Sequence, residues 1–280
     1  MFGYPLLKEE IAAFITSAEP ASAIEEALLS LREQGRVFQL DEFYSLRNDP
    51  TLAQKRREGN ERAVRLLATG FRIGRRLAKF PFVRGVGISG SLSKNYADAD
   101  ADIDYFIITS ANRLWIARSF LHLLKKFSFL RGRQHWYCMN YFIDESALDM
   151  PEKNIFIAVE LLTLIPVAGE PVFFAFNEAN NWTEDYLPNY KRTATIPQPA
   201  IQTGRRWVEQ LLNHKAGDLL DDYLMKLTGN RWQKKERENK RNMKGQPMSL
   251  RVGKHYARPN PDHFQKRILE LYASKLESLN

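Results

Sequence analysis

Apolar residues in the first fifty positions recur with the spacing of helices and then with the spacing of strands. Residues 8–16 and 21–34 each carry apolar side chains three or four positions apart, which places them on one face of a helix. Residues 36–40 and 43–46 are short apolar runs on either side of an acidic turn. The pattern therefore predicts two helices followed by a two-stranded hairpin.

The middle of the chain alternates between strand and helix. Residues 51–80 have the pattern of a long basic helix that ends before Pro81. The apolar runs after it predict, in order, a strand that ends at Gly90, a short helix, a strand up to Thr109, a helix over 112–130, a strand over 134–144 and a helix over 154–164. This order predicts an α+β fold with a βαβαβ core and a mixed sheet.

The last ninety residues predict a C-terminal region that is helical. Residues 195–202 have the composition of a linker, and helices are predicted from residue 203 to Leu227 and over 263–279. Between these helices, residues 231–244 form a dense basic run, either a site for RNA or DNA phosphates or a solvated segment. We divide the chain into residues 1–50, 51–190 and 191–280.

Composition indicates which partners and compartment suit the chain. The 280 residues carry a formal net charge of +8, which favours a polyanionic partner or a nucleotide. The single cysteine, Cys138, excludes an intrachain disulfide framework and points to a reducing compartment. Neither a signal-peptide pattern nor a run of about 18 apolar residues is present. We therefore expect a cytoplasmic location and no membrane partner.

Candidate chemistry is concentrated in residues 83–109. An apolar strand ends in Gly90-Ser91, and Asp102 and Asp104 follow at the start of the next apolar run. Alternation along a strand places both carboxylates on one face, where they repel each other unless a cation lies between them. Such oxygen ligands suit Mg²⁺ together with substrate phosphates. Gly90 allows close approach of a ligand, and Ser91 would begin a helix whose N-terminus favours phosphate.

This stretch resembles the signature of the DNA polymerase β-type nucleotidyltransferase superfamily. In that signature a hydrophobic strand, Gly-Ser and Asp-hydrophobic-Asp occur at this spacing, and Lys94 stands where a second basic residue often lies. The resemblance implies a nucleotidyltransferase fold, an NTP substrate and Mg²⁺ or Mn²⁺ at Asp102 and Asp104. It also implies that Gly90, Ser91 and Lys94 hold the nucleotide phosphates.

A wider resemblance covers residues 5–190. The chain is similar to a bacterial group of this superfamily that joins a winged-helix-like start to the same core, on the motifs Tyr4-Pro5-Leu6, Cys138-Met139-Asn140-Tyr141 and Asn180-Asn181-Trp182. We expect residues 1–50 to be a winged-helix-like module without the usual first helix. The module would either bind DNA or a partner, or only pack on the core. Its second helix carries Glu25, Glu26 and Glu33, which does not fit a basic recognition helix.

A third carboxylate is expected on a later strand, because this mechanism uses one as general base or as a further metal ligand. The strand over 134–144 offers Asp144 as a third catalytic residue. Strict alternation places Cys138, Asn140 and Asp144 on one face of that strand. If Asp144 is too distant, we expect Asn140 to occupy the position beside the nucleotide, where an amide cannot act as a base.

These observations support two hypotheses of different classes. The first is a Mg²⁺-dependent enzyme that moves a nucleoside monophosphate from an NTP to the hydroxyl of an unknown acceptor, which could be a small molecule, a protein or RNA. The second is a catalytically degenerate protein that binds nucleotides or nucleic acid and acts in regulation. An acid from another strand near Asp102 and Asp104 would favour the first hypothesis.

Overall fold

The computed structural model describes residues 4–129, 134–192, 206–241, 245, 249–259 and 264–278. Within these ranges the chain is an α+β protein with one three-stranded sheet and one six-stranded sheet. The larger sheet is mixed, as predicted, because it contains both parallel and antiparallel neighbours. None of the helices in these ranges has the length and hydrophobicity of a membrane span.

The first fifty residues form a small helical module with its own sheet. The predicted helices and hairpin are confirmed, and an additional two-residue strand pairs with the hairpin in the order β1-β3-β2. The elements here are β1 (Leu6–Leu7), α1 (Lys8–Phe14), α2 (Ala21–Glu33), β2 (Phe38–Leu40) and β3 (Phe43–Ser45), and the long helix α3 (Thr51–Leu77) follows.

Arg56 on α3 joins this module to the rest of the protein. Its side chain is only 1% exposed. The guanidinium donates to the Glu10 carboxylate at 2.6 Å, to the Pro5 carbonyl at 2.9 Å and to the Asn60 amide oxygen at 2.8 Å. It also lies 3.8 Å from the centroid of the Tyr4 ring. Since a buried charge is tolerated only when it is paired and hydrogen-bonded, this network fixes how α3 meets the module.

The six-stranded sheet has the order β7-β4-β5-β6-β9-β8, in which β5 and β6 are parallel and all other neighbours are antiparallel. Its strands are β4 (Val83–Ser89), β5 (Asp104–Thr109), β6 (Cys138–Asp144), β7 (Ile165–Ala168), β8 (Leu250–Val252) and β9 (Tyr256–Pro259). The helices that follow α3 are α4 (Leu114–Phe129), α5 (Ile155–Leu162), α6 (Glu170–Ala179), α7 (Thr183–Tyr186), α8 (Arg206–Leu212), α9 (Lys215–Arg237) and α10 (Gln265–Glu277).

Each face of the sheet is covered by its own helices. Tyr105 and Ile107 point into a core shared with α3 and α4. Phe106 and Ile108 point into a second core shared with α5 and α6. Asp104 therefore belongs, by alternation along β5, to the face covered by α5 and α6.

The alternation expected along residues 134–144 is interrupted at Asn140. Met139 pairs with Tyr105, and Tyr141 pairs with the next residue of β5, so the Asn140 backbone is the extra residue of a β-bulge. Met139 and Phe142 consequently share one core although they are three positions apart. The expectation that Cys138, Asn140 and Asp144 share one face is wrong, because a bulge reverses the alternation of all later residues.

Two parts of the sheet were not predicted. β7 contains Pro166, and it lies at an edge of the sheet, where a missing backbone donor is tolerated. β8 and β9 belong to the region that was predicted to be helical, and they extend the sheet beyond β6. The C-terminal region is therefore not purely helical. The predicted linker over 195–202 lies outside the described residues. The first half of the basic run over 231–244 is helical, because α9 continues to Arg237.

Carboxylates of α8 and α9 hold these helices against the core. Glu209 accepts from the backbone N–H of Phe82 at 2.7 Å and pairs with Arg84 at 2.9 Å. The buried Asp221 accepts from the backbone N–H groups of Trp115 and Ile116, each at 2.9 Å. Asp221 thereby satisfies two donors that α4 cannot satisfy within its own first turn.

We expect Asp221→Ala to destabilise the protein by about 2–3 kcal/mol, because it leaves two buried N–H groups without acceptors. Asp221→Asn retains a side-chain acceptor and should cost less. Asp222→Ala is the matched control, since it removes a half-exposed neighbour whose ion pair with Lys254 contributes little. Urea unfolding followed by circular dichroism measures all three, and equal losses for Asp221→Ala and Asp222→Ala would contradict the capping role.

His122 on α4 predicts a dependence of stability on pH. Burial, and then the charges of Arg118, Lys125, Lys126 and Arg231, lower its pKa from 6.5 to about 3. A histidine whose folded pKa is depressed loses stability as the pH falls below its unfolded pKa, because the unfolded state then binds the proton preferentially. Between pH 7 and pH 5 we expect wild type to lose about 1–2 kcal/mol more than His122→Gln. His214→Gln, at an exposed position, should retain the wild-type pH profile.

Candidate functional site

The predicted Gly-Ser turn lies at the end of β4, directly opposite the start of β5. Ser89 pairs with Asp104 in the antiparallel register. Gly90 has φ +73°, and a Cβ atom there would lie 2.9 Å from Oδ2 of Asp104. Both the backbone conformation and the nearby carboxylate therefore require glycine at this position.

Ser91 does not begin a long helix. One 3₁₀ turn, Leu92–Lys94, follows it and ends at Asn95, which has φ +56°. A turn of three residues is too short to develop the dipole of a helix, so this source of phosphate affinity is absent at Ser91. The turn is held instead through the carbonyl oxygen of Gly90, which accepts from Ser93 Oγ at 2.9 Å and from Lys94 Nζ at 3.0 Å.

The two predicted metal ligands lie on either side of Ile103, which is fully buried in the core beneath α3 and α4. β5 begins at Asp104, and the backbone of Ile103 bonds to His135 and Cys138 on the neighbouring segment. The extended conformation therefore reaches back to Asp102, and both carboxylates point away from Ile103. Asp102 has a partner that the sequence did not reveal, since its Oδ1 lies 2.7 Å from Nδ1 of His135.

Cys138 is the residue of β6 that lies beside Asp104. The two are register partners in the parallel pair β5–β6. Burial, and then the negative charge of Asp104, raise the pKa of the Cys138 thiol to about 12. A thiol in this state is protonated at neutral pH and is a poor nucleophile. The predicted role of the Asn140 side chain lies outside the described part of the structure.

Asp144 lies at the opposite end of the strand. It pairs with Thr109, five residues along β5 from Asp104, which corresponds to about 16 Å. Its buried carboxylate accepts from the backbone N–H of Asn112 at 2.8 Å and of Ser146 at 2.9 Å, and it bonds to Nδ1 of His255 at 2.9 Å. The structure therefore does not bring Asp144 together with the other two acids, and its contacts there are those of a capping residue.

Lys94 is held by an acid of α5. Its Nζ lies 2.9 Å from Oε1 of Glu160, in addition to its bond to the Gly90 carbonyl. The amine thus connects the Gly-Ser turn to α5. Glu160 lies on a helix with an otherwise apolar pattern, so sequence reasoning had no reason to associate it with Lys94.

A cavity of about 210 Å³ opens beside Glu160. Ser89 and Phe106 belong to its lining and lie on the same sheet face as Asp104. The remaining wall is mostly apolar and aromatic, with Glu152 and Arg258 paired at 2.7 Å at one side and Glu160 at another. An engineered apolar cavity of about 150 Å³ holds benzene, so this space suits one or two fused rings. The other residues that line the cavity are Tyr141, Met150, Phe156, Ile157, Leu161, Leu164, Phe264 and Gln265.

The donor set decides which metal the site could hold. Among the described residues, no group of three or more His, Cys, Asp and Glu side chains is arranged around one point. Mg²⁺ does not need such a group, because it binds through one or two carboxylates, waters and substrate phosphates. Asp102 and Asp104 fit this requirement, whereas a tetrahedral site for Zn²⁺ would need more protein ligands.

Gly90→Ala should change the surroundings of Cys138, which is the single cysteine of the chain. The added Cβ displaces the Asp104 carboxylate, whose charge raises the pKa of the thiol, so we expect Cys138 to react several-fold faster with a thiol reagent at pH 8. Gly35→Ala is the control, because Gly35 also has a positive φ of 67° but has no atom within 4 Å of the added carbon.

Both variants should lose about 1–2 kcal/mol of stability from the left-handed backbone. Equal thiol reactivity in Gly90→Ala, Gly35→Ala and wild type would show that Gly90 does not constrain Asp104.

Comparison of this chain with family models, with curated proteins and with solved structures gives no match. The geometry around Gly90 and Asp104 is accordingly what supports an assignment of function.

Proposed function

We propose that this chain is a Mg²⁺-dependent nucleotidyltransferase of the DNA polymerase β type. It transfers a nucleoside monophosphate from an NTP to an acceptor hydroxyl and releases pyrophosphate. The observation that carries the proposal is how closely the Asp104 carboxylate approaches Gly90, since a Cβ atom added to the glycine would lie 2.9 Å from Oδ2 of Asp104. This proximity supports the proposal, because a backbone turn of the kind that receives phosphate lies directly beside an acid of the kind that binds Mg²⁺.

The proposed roles follow from these positions. Asp102 and Asp104 would hold Mg²⁺, which supplies neutralisation of the charge on the transferred and leaving phosphates. Exposed Ser91 and the backbone of the turn would contact the outer phosphates. Lys94 fixes the Gly90 carbonyl, and it would contact phosphate only by exchanging its bond to Glu160.

The cavity that Ser89 and Glu160 help to line is our candidate site for the acceptor or the nucleobase. Its aromatic lining can stack on a flat ring, and its volume matches a ring system rather than a macromolecular chain. A small-molecule acceptor is therefore favoured over a protein or RNA acceptor at this point of the site.

The residues of β6 that lie near Asp104 favour the second candidate, a nucleotide-binding regulatory protein without turnover. The neighbouring residue there is Cys138, and Asp144 is about 16 Å away along the sheet. A protonated thiol cannot act as a general base, so the acceptor hydroxyl would have to lose its proton to Asp102, Asp104 or solvent. The two candidates share the nucleotide site and differ in turnover.

The N-terminal module is proposed to be winged-helix-like. It follows the order strand, helix, helix, strand, strand, and the three strands form one sheet. Arg56 packs it on α3, and the Tyr4 hydroxyl donates to the backbone carbonyl of Lys94 at 3.1 Å. These contacts favour a module that supports the Gly-Ser turn over an independent DNA-binding domain.

Asp104→Asn tests the function. With Mg²⁺ and labelled NTPs, we expect the variant to bind nucleotide at least tenfold more weakly than wild type and to release pyrophosphate about 10²–10³ times more slowly, because it loses a charged metal ligand. Asp100→Ala is the matched control, since it removes an exposed acid from the same loop and should behave as wild type. Calorimetry measures binding, and a pyrophosphate assay measures turnover with a mixture of small hydroxyl acceptors.

The two measurements separate the candidates. Asp104-dependent NTP binding without pyrophosphate release supports the binding protein. Equal NTP binding by wild type and Asp104→Asn, with no turnover in either, would refute both candidates.

A further inference from the structure

Arg118 on α4 is buried without an acidic partner. Its side chain is 9% exposed. The guanidinium carbon lies 5.5 Å from the ring of Trp115 and 5.7 Å from the ring of Phe142. No carboxylate among the described residues lies within ion-pair distance of it. Burial lowers the pKa of Arg118 to about 10, which reflects the cost of holding this charge away from water.

The other buried arginines show what this position lacks. Arg56 pairs with Glu10 at 2.6 Å, and Arg113 pairs with Asp218 at 2.6 Å. Arg258 pairs with Glu152 at 2.7 Å. Among the arginines that the structure describes as buried, Arg118 alone has no carboxylate partner. Cation–π contacts offset a small part of the desolvation of a guanidinium, and a buried pair normally supplies the rest.

His122 presents a second unsatisfied group, one helical turn after Arg118. Its ring stacks on the same Phe142 ring, with centroids 6.3 Å apart. Its Nε2 atom is buried and has no hydrogen-bond partner. A buried ring nitrogen without a partner is unusual, and it adds a second unsatisfied polar group beside Phe142.

Further cations near Arg118 belong to α4 and to α9. Asp221 of α9 packs that helix against α4. Lys125 and Lys126 lie one turn beyond His122, on the same face of α4. Helices α4 and α9 pack against each other. Arg231 lowers the pKa of His122, and Arg118 lowers the pKa of Lys235, so these charges act on each other between the two helices. In the described part of the chain, none of the five cations has a carboxylate within ion-pair distance. They are Arg118, Lys125, Lys126, Arg231 and Lys235.

We propose that the surface where α4 meets α9 binds a phosphate-bearing anion, with Arg118 as its buried ligand and Lys125, Arg231 and Lys235 around it. A guanidinium presents two parallel N–H groups to a phosphate, and several converging cations suit a group with more than one negative charge. A free polyphosphate and a polynucleotide backbone present the same phosphate chemistry, and the experiments below distinguish them. The proposal does not depend on the proposed nucleotidyltransferase activity.

Arg118→Met tests the site, because methionine keeps the apolar packing on Trp115 and Phe142 and removes the charge. The probe is inorganic tripolyphosphate in EDTA, which excludes metal-dependent binding at Asp104. We expect tripolyphosphate to raise the melting temperature of wild type and Arg118→Met to bind it at least tenfold more weakly by calorimetry. Lys235→Gln should weaken binding two- to fivefold. Arg76→Met, at an exposed position of α3, is the charge-matched control and should bind as wild type.

Stability without the anion separates a ligand from a structural residue. If Arg118 binds phosphate, Arg118→Met should melt at the same temperature as wild type or higher when no anion is present, and lower than wild type only when tripolyphosphate is added. An equal loss with and without tripolyphosphate would show that the arginine only packs on the two rings. Equal weakening by Arg76→Met would show non-specific attraction. Either result overturns the proposal.

A single-stranded RNA 12-mer identifies the source of the phosphate. Tighter binding of the 12-mer than of tripolyphosphate, with both weakened by Arg118→Met, assigns a polynucleotide backbone. Tighter binding of tripolyphosphate assigns a free polyphosphate. Binding of neither probe in a manner that depends on Arg118 would refute the site.

Discussion

The close approach of α3 to the large sheet is the constraint on which the rest of the structure depends. Gly59, Gly70 and Gly74 face neighbours that leave no room for a side chain. A Cβ atom at these positions would lie 2.2 Å from the Tyr96 ring, 2.9 Å from Ile88 and 2.8 Å from Val167. Because the helix backbone lies directly on β4 and on the segment after the Gly-Ser turn, one rigid element positions the sheet, the turn and the N-terminal module together.

This contact explains how a short, polar turn is held in place. The segment after Ser91 is bonded to α3, where the Gly59 carbonyl accepts from Ala97 and Arg62 donates to the Ala97 carbonyl at 2.9 Å. Lys94 is held from the other side by Glu160 on α5. The turn beside Asp104 is thus supported by helices on both faces of the sheet, which is the kind of preorganisation that a phosphate site requires.

The buried arginines have different partners in different parts of the molecule. Buried Arg56, Arg113 and Arg258 each meet a carboxylate, and they join the N-terminal module, α9 and β9 to the core. Arg118 has no such partner among the residues that the structure describes, although it is also buried. The paired arginines therefore hold elements of the fold together, and we propose a ligand only at the unpaired Arg118.

The sequence by itself determined the local elements and the position of the candidate chemistry, because periodicity, Gly90-Ser91 and the Asp102/Asp104 pair are local signals. The helices and strands from Lys8 to Leu162 lie close to their predicted positions. Tertiary structure alone decided what surrounds those residues. Strand register placed Cys138 beside Asp104, a bulge at Asn140 reversed the alternation after it, and strand length put Asp144 at the far end of the sheet. The pairing of β9 with β6, and of Lys94 with Glu160, joins residues more than sixty positions apart, and no local pattern records which distant partner a side chain will meet.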